Sequence, residues 1–215
     1  MRNQGFIIAR EGFPWILLGL LLTITTVFLG GTVLAWGLGG LTLFVTFFFR
    51  NPPRTTPAEE GLIISPADGK ICQIEENVLE PRFLKAPRKR VSIFMSVFNC
   101  HVNRAPISGQ VKNSHYNPGK FHMASVDKAS ELNEQHALLL EDDRKNQLVV
   151  VQIAGWVARR IVNYLKIGDK IQKGTPYGII QFGSRVDLYL PLQCQLRVRK
   201  GEFVRGGETV IGTLS

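Results

Sequence analysis

The sequence predicts a mainly β soluble domain, a partly closed barrel or sandwich, preceded by an N-terminal apolar α-helical hairpin. Three observations support this prediction. An uncharged apolar stretch lies near the N-terminus, short segments rich in β-branched and aromatic residues follow it, and a glycine-bounded motif occurs twice. A chain of 215 residues has room for one domain and an appendage of this kind.

The apolar stretch defines the appendage, residues 1–50. No charged side chain occurs from Gly12 to Phe49. Gly30-Gly31 divides this stretch into apolar spans at about residues 13–29 and 32–49. Each span is close to the lower limit of about 17–25 residues for a helix that crosses a bilayer. A signal peptide is not favoured, because no clear small-residue cleavage site is present and a second apolar run follows the first. We therefore predict a membrane hairpin.

Basic residues flank both outer ends of this hairpin. Arg2 and Arg10 precede the first span, and Arg50 and Arg54 follow the second. Positive charge at both ends favours a hairpin whose ends face the cytoplasm. We expect two full crossings of the cell (inner, cytoplasmic) membrane, with the following domain on its cytoplasmic side. A hairpin that dips into one leaflet is the alternative, because both spans are short.

The overall charge indicates an anionic partner. The formal net charge is +9, and basic proteins associate with nucleic acids, acidic ligands or anionic membrane surfaces. Because of the apolar hairpin, we expect an anionic phospholipid membrane and no nucleic acid. The basic cluster Lys85, Arg88, Lys89 and Arg90 is a candidate lipid-facing patch. A solvated loop is the alternative interpretation of these charges.

The three cysteines predict neither a metal site nor a disulfide framework. Cys72, Cys100 and Cys194 are odd in number and have no metal-ligand spacing. They are typical of ordinary thiols in a reducing compartment.

Residues 51–57 form a Pro-rich connector that cannot continue a helix. Residues 58–215 are the predicted β-rich domain. Its strand signals are short apolar runs, most of them closely bounded by Gly or Pro: Val91–Phe98, Leu148–Ile153, Tyr177–Phe182 and Val186–Leu190. Only Ala129–His136 and Trp156–Val162 have any helical pattern, and in both the pattern is weak.

A motif with the pattern Gly-acid-x-apolar-x-x-Gly occurs at Gly168–Gly174 and again at Gly201–Gly207. Each copy leads into a predicted strand, as in the barrel-sandwich domains that carry biotin or lipoate. Asp127-Lys128-Ala129 matches the lipoyl attachment tripeptide, but the residues after it are polar and do not alternate as strand residues would. A membrane-tethered carrier or scaffold is nevertheless the rival function.

Five motifs occur together in a fixed order. They are Ser65–Lys70 (SPADGK), His101–Pro106 (HVNRAP) followed by Ser108-Gly109, Asn117–Phe121 (NPGKF), Asp127–Glu131 (DKASE) and Gln181–Pro191 (QFGSRVDLYLP). With these motifs the chain resembles the phosphatidylserine decarboxylase family in its short bacterial and archaeal form. The resemblance covers nearly the whole chain, including the apolar hairpin.

The resemblance implies that Ser184 becomes the cofactor. Its hydroxyl attacks the carbonyl of Gly183, and the resulting ester eliminates to dehydroalanine, which hydrolyses to a pyruvoyl group and ammonia. The products are chains 1–183 and 184–215, held together non-covalently. The pyruvoyl group forms a Schiff base with the amine of phosphatidylserine and accepts the electron pair released with CO₂, which yields phosphatidylethanolamine. Other amino-acid head groups or a soluble amino acid are alternative substrates.

The resemblance also implies roles for two further residues, His101 and Asp68. His101 is the expected acid/base group, and Asp68 is expected to orient a base or help to activate Ser184. Longer members of the family have a second histidine where this chain has Arg104, which is a poor base. The cleavage base is therefore either His101 or Asp68 with a water. On charge grounds, Arg104, Lys120 and Arg159 are candidates to bind the substrate phosphate or carboxylate. A homo-oligomer remains open.

Overall fold

The computed structural model describes residues 3, 5–119, 133–155, 160–181 and 184–214. Contacts between Cα atoms divide the chain into two compact units, Met1–Pro53 and Arg54–Ser215.

The first unit is a helical hairpin. A short 3-10 helix, Arg10–Gly12, leads into α1 (Phe13–Phe28), and α2 (Thr32–Phe48) follows a turn at Gly30. Gly30 has a φ of 77°, a conformation that glycine adopts without steric cost. The predicted helical hairpin is confirmed.

The helices of this unit present apolar side chains to their surroundings. Val33 and Trp36 are 89% and 81% exposed. Residues Arg10–Phe28, with a mean hydropathy of 1.6, form the one described helix that is long and apolar enough to cross a membrane. Thr32–Phe48 is a shorter apolar helix.

The second unit is built from antiparallel strands. Their bounds are β1 Leu62–Ile64, β2 Gly69–Leu79, β3 Pro87–Met95, β4 Val102–Arg104, β5 Gly109–Asn117, β6 Gln135–Glu141, β7 Gln147–Ala154, β8 Arg160–Asn163, β9 Lys170–Ile171, β10 Pro176–Gln181, β11 Ser184–Leu190, β12 Gln195–Leu196, β13 Phe203–Val204 and β14 Val210–Thr213. The main sheet has eight strands in the order β13-β2-β3-β11-β7-β6-β5-β9. Two three-stranded sheets, β1-β14-β12 and β4-β10-β8, complete the unit.

The mainly β prediction is confirmed, and each of the four predicted strands overlaps an observed one. The two weak helix predictions, Ala129–His136 and Trp156–Val162, are wrong wherever the structure describes them. Gln135 begins β6, which pairs with β7, and residues 160–162 lie in β8, which pairs with β10. Cross-strand pairing overrides the weak local helical pattern in both places.

Strand β11 lies in the middle of the main sheet and is buried along its whole length. Val186 and Leu188 belong to the principal apolar core. Tyr189 points to the opposite face, where it packs in a second apolar cluster with Val149 and Val151. Both faces of β11 are therefore covered.

The two glycine-bounded motifs begin in the same way. The backbone N–H of Gly168 donates to the carbonyl of Val111, and that of Gly201 donates to the carbonyl of Ile71, both over 2.8 Å. The two glycines have φ values of 94° and 92°.

The motifs also end in the same way. Gly174 and Gly207 both have a φ of 82°, and their N–H groups donate to the carbonyls of Ala105 and Ser65. These acceptors open two similar turns, residues 65–70 (SPADGK) and 105–110 (APISGQ), with Pro and Gly at matching positions. We call them the Asp68 turn and the Ser108 turn. The unit therefore contains one turn-and-strand arrangement twice.

Substitution of the first and last glycines of the second motif, Gly201 and Gly207, distinguishes the effect of backbone strain on stability from the effect of crowding. A Cβ at Gly201 would meet nothing within 4 Å, whereas one at Gly207 would lie 2.7 Å from Arg104 Cδ. We expect Gly201→Ala to lower the unfolding free energy by about 1–2 kcal/mol from backbone strain alone. Gly207→Ala should lower it further, because crowding adds to the same strain.

Thermal unfolding of the two variants in detergent tests this expectation, since about 1 kcal/mol corresponds to a Tm shift of about 2–4 °C for a unit of this size. Equal Tm values for the two variants would contradict it.

Candidate active site

Ser184 is the first residue of β11 and is fully buried. Its backbone lies between Met95 at the end of β3 and Ala154 at the end of β7. Its Oγ donates a hydrogen bond to Met95 Sδ over 3.3 Å. Thioether sulfur is a weak acceptor, so this contact orients the hydroxyl without consuming a strong hydrogen bond. Gly183, the other half of the predicted cleavage site, lies outside the described residues.

A chain of buried polar side chains continues from Met95. Asn103 Nδ2 lies 3.7 Å from Met95 Sδ, and Asn103 Oδ1 accepts a hydrogen bond of 2.7 Å from Gln152 Nε2. The sequence analysis did not single out Asn103 or Gln152. Gln152 could have been found as the one polar residue in the apolar run Leu148–Ile153, because a buried amide in such a strand requires a partner.

His101 is fully buried beside the strand that leads to Ser184. Its carbonyl accepts a hydrogen bond from the N–H of Ile180 in β10. Its ring Nδ1 lies 3.0 Å from the carbonyl oxygen of Asn99. Because a carbonyl can only accept, Nδ1 carries the proton in this arrangement, and the lone pair of a neutral ring is then on Nε2. Nε2 is the atom suited to act as a base.

Asp68 has a defined partner for each carboxylate oxygen. Oδ2 accepts from Arg54 Nη2 and Oδ1 accepts from the backbone N–H of Gly206, both over 2.7 Å. Cys100, the residue before His101, is buried, and this burial, together with the negative charge of Asp68, raises the pKa of its thiol. Asp68 therefore places negative charge beside the segment that contains His101.

Arg104 is also buried. Its Nη1 donates to the carbonyl of Gly174 over 3.1 Å, and burial lowers the pKa of its guanidinium. Its backbone N–H donates to the carbonyl of Pro66, which ties β4 to the Asp68 turn. Lys120 and Arg159, the other two predicted substrate-binding cations, lie outside the described residues, as does Lys128.

Asp68, His101 and Ser184 thus come from three segments that are connected by hydrogen bonds. The N–H of Arg104 links β4, which follows His101, to the Asp68 turn, and the N–H of Ile180 links His101 to β10, the strand before Ser184. An orienting contact from Asp68 to His101 stays a prediction.

A second polar cluster lies on the same face of the sheet as Gln152, which pairs with His136 across β6 and β7. His136 Nδ1 lies 2.6 Å from Asn163 Nδ2, and its Nε2 lies 3.1 Å from Ser114 Oγ. The amide nitrogen can only donate, so Nδ1 accepts and Nε2 carries the proton. Burial, with a smaller contribution from His115, lowers the pKa of His136 to about 4.

The basic cluster at residues 85–90 is partly used within the protein. Lys89 Nζ donates to the carbonyl of Cys194 over 3.1 Å and lies 3.7 Å from Glu76. Arg90 forms an ion pair with Glu75. Both basic side chains are mostly buried, so lipid contact by this cluster stays a prediction that depends chiefly on Lys85 and Arg88.

A buried serine thus begins a central strand of a β domain, and a histidine and a carboxylate lie on neighbouring segments joined by hydrogen bonds. Nucleophilic serine sites use these residue types. The family model described as phosphatidylserine decarboxylase matches residues 41–212.

Similar proteins extend this match to the full chain. The phosphatidylserine decarboxylase proenzyme of Syntrophotalea carbinolica is 49% identical over 214 residues and that of Geotalea uraniireducens 46% over 217 residues, each with 100% of both chains covered. The proenzyme of Ruegeria pomeroyi is 50% identical over 200 residues, 91% of each chain. The chain belongs to the phosphatidylserine decarboxylase family, as the motifs predicted.

His136 predicts a component of acid instability. Its pKa is 6.5 in the unfolded chain and about 4 in the folded one, so the unfolded state binds the proton first as the pH falls. Above pH 6.5, the pKa of the unfolded state, the titration of His136 does not affect the free energy of unfolding. As the pH falls from about 6.5 towards 4, that free energy decreases. Because His136 is only partly buried, we expect a loss of at most about 2–3 kcal/mol.

His136→Gln removes this titration while keeping an amide that can bond to Asn163 and Ser114. The difference in Tm between wild type and this variant, measured from neutral pH down to pH about 4, should narrow as the pH falls. A difference that stays constant would show that His136 does not titrate in this way.

Proposed function

We propose that the protein is a self-processing, pyruvoyl-dependent phosphatidylserine decarboxylase that converts phosphatidylserine to phosphatidylethanolamine and CO₂. The observation that carries this proposal is Ser184, which is buried at the first position of β11 and donates its hydroxyl hydrogen to a thioether, a weak acceptor. Family membership supplies the activity, since the similar proteins are named as phosphatidylserine decarboxylase proenzymes.

Self-processing begins with attack of Ser184 Oγ on the carbonyl carbon of Gly183. The peptide C–N bond breaks as the ester C–O bond forms, and the proton of Oγ moves to the new amino group. Removal of the Ser184 Cα proton then breaks the bond between Cβ and Oγ, so the Gly183 carboxylate keeps the serine oxygen. The dehydroalanine left behind takes up water and releases ammonia, which leaves the pyruvoyl carbonyl.

These steps require a base close to Ser184. We propose His101, because its Nδ1–H is directed at the carbonyl of Asn99 and its Nε2 is left with the lone pair. Asp68 acting with a water is the second candidate. Its carboxylate is mostly buried and is held by Arg54 and Gly206.

The contacts of β11 favour retention of the fold after cleavage between Gly183 and Ser184. Residues 184–190 pair with β3 on one side and with β7 on the other. Val186 and Leu188 are fully buried in the principal core, and each buried side chain of this size contributes about 1.5–3 kcal/mol. Chain 184–215 therefore has enough contacts to remain bound to chain 1–183.

Once formed, the pyruvoyl group would supply an electrophilic carbonyl for the substrate amine and an electron sink for the pair released with CO₂. The structure is compatible with this group because Ser184, the residue that would form it, is fully buried between β3 and β7. His101 would then return a proton to the substrate carbon. Arg104, Lys120 and Arg159 are proposed to bind the phosphate or carboxylate of the substrate, since guanidinium and ammonium groups donate several hydrogen bonds to such anions.

We propose that the hairpin inserts into the cell membrane and that the catalytic domain lies on the cytoplasmic side. The exposed apolar side chains of α1 and α2 support insertion, because apolar surface of this extent is unfavourable in water. Arg10 and Arg50, at the outer ends of the two helices, support the cytoplasmic orientation.

Chain integrity tests the proposal against a membrane-tethered carrier or scaffold. Intact-mass analysis of the purified protein should give chains 1–183 and 184–215. The short chain should lack a free amino group and be lighter by one ammonia than the same peptide with an N-terminal serine. Ser184→Ala should give one uncut chain. A whole wild-type chain in folded protein would support the scaffold instead.

A second prediction concerns His101. In His101→Gln the ring base is lost while an amide can still donate to the carbonyl of Asn99. We expect decarboxylation of phosphatidylserine in mixed micelles, measured per cleaved chain, to fall about 10²–10⁴-fold, the usual contribution of a general acid or base.

His122→Gln is the matched control, because the same exchange is made at a histidine without a proposed role. It should keep at least half of the wild-type rate. Full activity per cleaved chain in His101→Gln would remove His101 from the decarboxylation step.

A further inference from the structure

The duplicated arrangement allows the Asp68 turn to be compared with an internal reference. In the Ser108 turn, Ser108 Oγ accepts a hydrogen bond of 3.0 Å from the backbone N–H of Lys173. In the Asp68 turn, Asp68 Oδ1 accepts one of 2.7 Å from the backbone N–H of Gly206. Lys173 and Gly206 occupy the same position of the two glycine-bounded motifs. A neutral hydroxyl is therefore sufficient to accept this backbone hydrogen bond. The second carboxylate oxygen of Asp68 and its negative charge are not needed for it.

The additional oxygen of Asp68 is taken by Arg54. Arg54 Nη2 lies 2.7 Å from Asp68 Oδ2, and the Arg54 side chain is only 10% exposed. The same guanidinium reaches Glu208, with 3.5 Å between Nη1 and Oε2. The other oxygen of Glu208 accepts from the backbone N–H of Thr55 over 3.2 Å. Arg54 therefore contacts the carboxylates of Asp68 and Glu208, and Glu208 also accepts a hydrogen bond from the backbone of the next residue, Thr55.

Gly207 leaves space for the Arg54 side chain. A Cβ at Gly207 would lie 3.6 Å from Arg54 Cβ and 2.7 Å from Arg104 Cδ, so glycine at this position leaves room for both arginines. Burying a charged group without a partner is costly. The ion pair with Arg54 offsets this cost for Asp68 and restricts the orientation of its carboxylate.

We propose that Arg54 is a positioning residue for self-processing, which it serves by holding the Asp68 carboxylate in place. This inference rests on the proposed cleavage at Gly183–Ser184. The Asp68 turn is the functional copy of the duplicated arrangement because it has the carboxylate and Arg54, and the Ser108 turn retains only the backbone contact. Arg54 does not react itself, so its whole effect on cleavage passes through Asp68.

Full-length variants made by cell-free synthesis with lipid vesicles test this proposal. The readout is the rate at which chain 184–215 forms. Asp68→Ser should fold, as the Ser108 turn does with a serine at the same position, and should cleave at least about 10-fold more slowly, since a positioned charged group typically contributes that much or more. Arg54→Met should slow cleavage to a similar extent. Arg54→Lys should recover part of the rate, because an ammonium can still pair with Asp68.

The double variant gives the decisive comparison. If Arg54 acts through Asp68, adding Arg54→Met to Asp68→Ser slows cleavage no further, whereas independent destabilisation would multiply the two effects. Asp68→Asn replaces Asp68→Ser if the serine variant fails to fold. Ser108→Ala is the matched control: it removes the equivalent backbone contact and should cleave at the wild-type rate.

Multiplied effects in the double variant, or wild-type cleavage in Arg54→Met, would overturn the role of Arg54 and leave the proposed function intact. Cleavage slowed in Ser108→Ala as much as in Asp68→Ser would also overturn it, because the backbone contact would then be sufficient to explain the effect. A wild-type chain that stays whole would overturn the proposed function and this inference together.

Discussion

The pairing of β11 with a strand on each side is the constraint on which the rest of the site depends. β11 pairs through Ser184–Leu190 with β3 and through Ser184–Tyr189 with β7. This pairing fixes the backbone of Ser184 and buries its hydroxyl against Met95. A strand held on both edges and covered on both faces can lose its covalent connection to Gly183 and keep its place.

The duplicated arrangement explains how an acidic group can be placed at the site without loss of the fold. Both copies use the same backbone hydrogen bonds, from Gly168 and Gly174 in one and from Gly201 and Gly207 in the other. The fourth position of the turn is a serine in the Ser108 turn and an aspartate in the Asp68 turn. The same backbone framework thus accepts either a neutral or a charged side chain at this position.

The sequence was sufficient for the apolar elements and for the order of the motifs. α1, α2 and the apolar strands β7, β10 and β11 follow from hydrophobic runs bounded by Gly or Pro. β5 and the start of β6 could not be predicted from hydrophobic runs, because their residues are mostly polar. Pairing with neighbouring strands determines their conformation. Ser184 and His101 could be named from motifs, but the partners of Asp68 could not. Arg54 is 14 residues from Asp68 and Gly206 is 138 residues away, and only the fold brings them together.

The oxygen of Ser184 provides the most direct test of the central claim, which is that this hydroxyl attacks Gly183. The chain is synthesised in a cell-free system with serine that has the heavy stable isotope of oxygen in its hydroxyl group, and trypsin then releases the peptide Gly174–Gly183 from the cleaved protein. That peptide contains no serine, so its C-terminal carboxylate should gain one heavy oxygen by transfer from Ser184. An unlabelled peptide, with the label retained on Ser184, would show cleavage by ordinary hydrolysis and would contradict the mechanism.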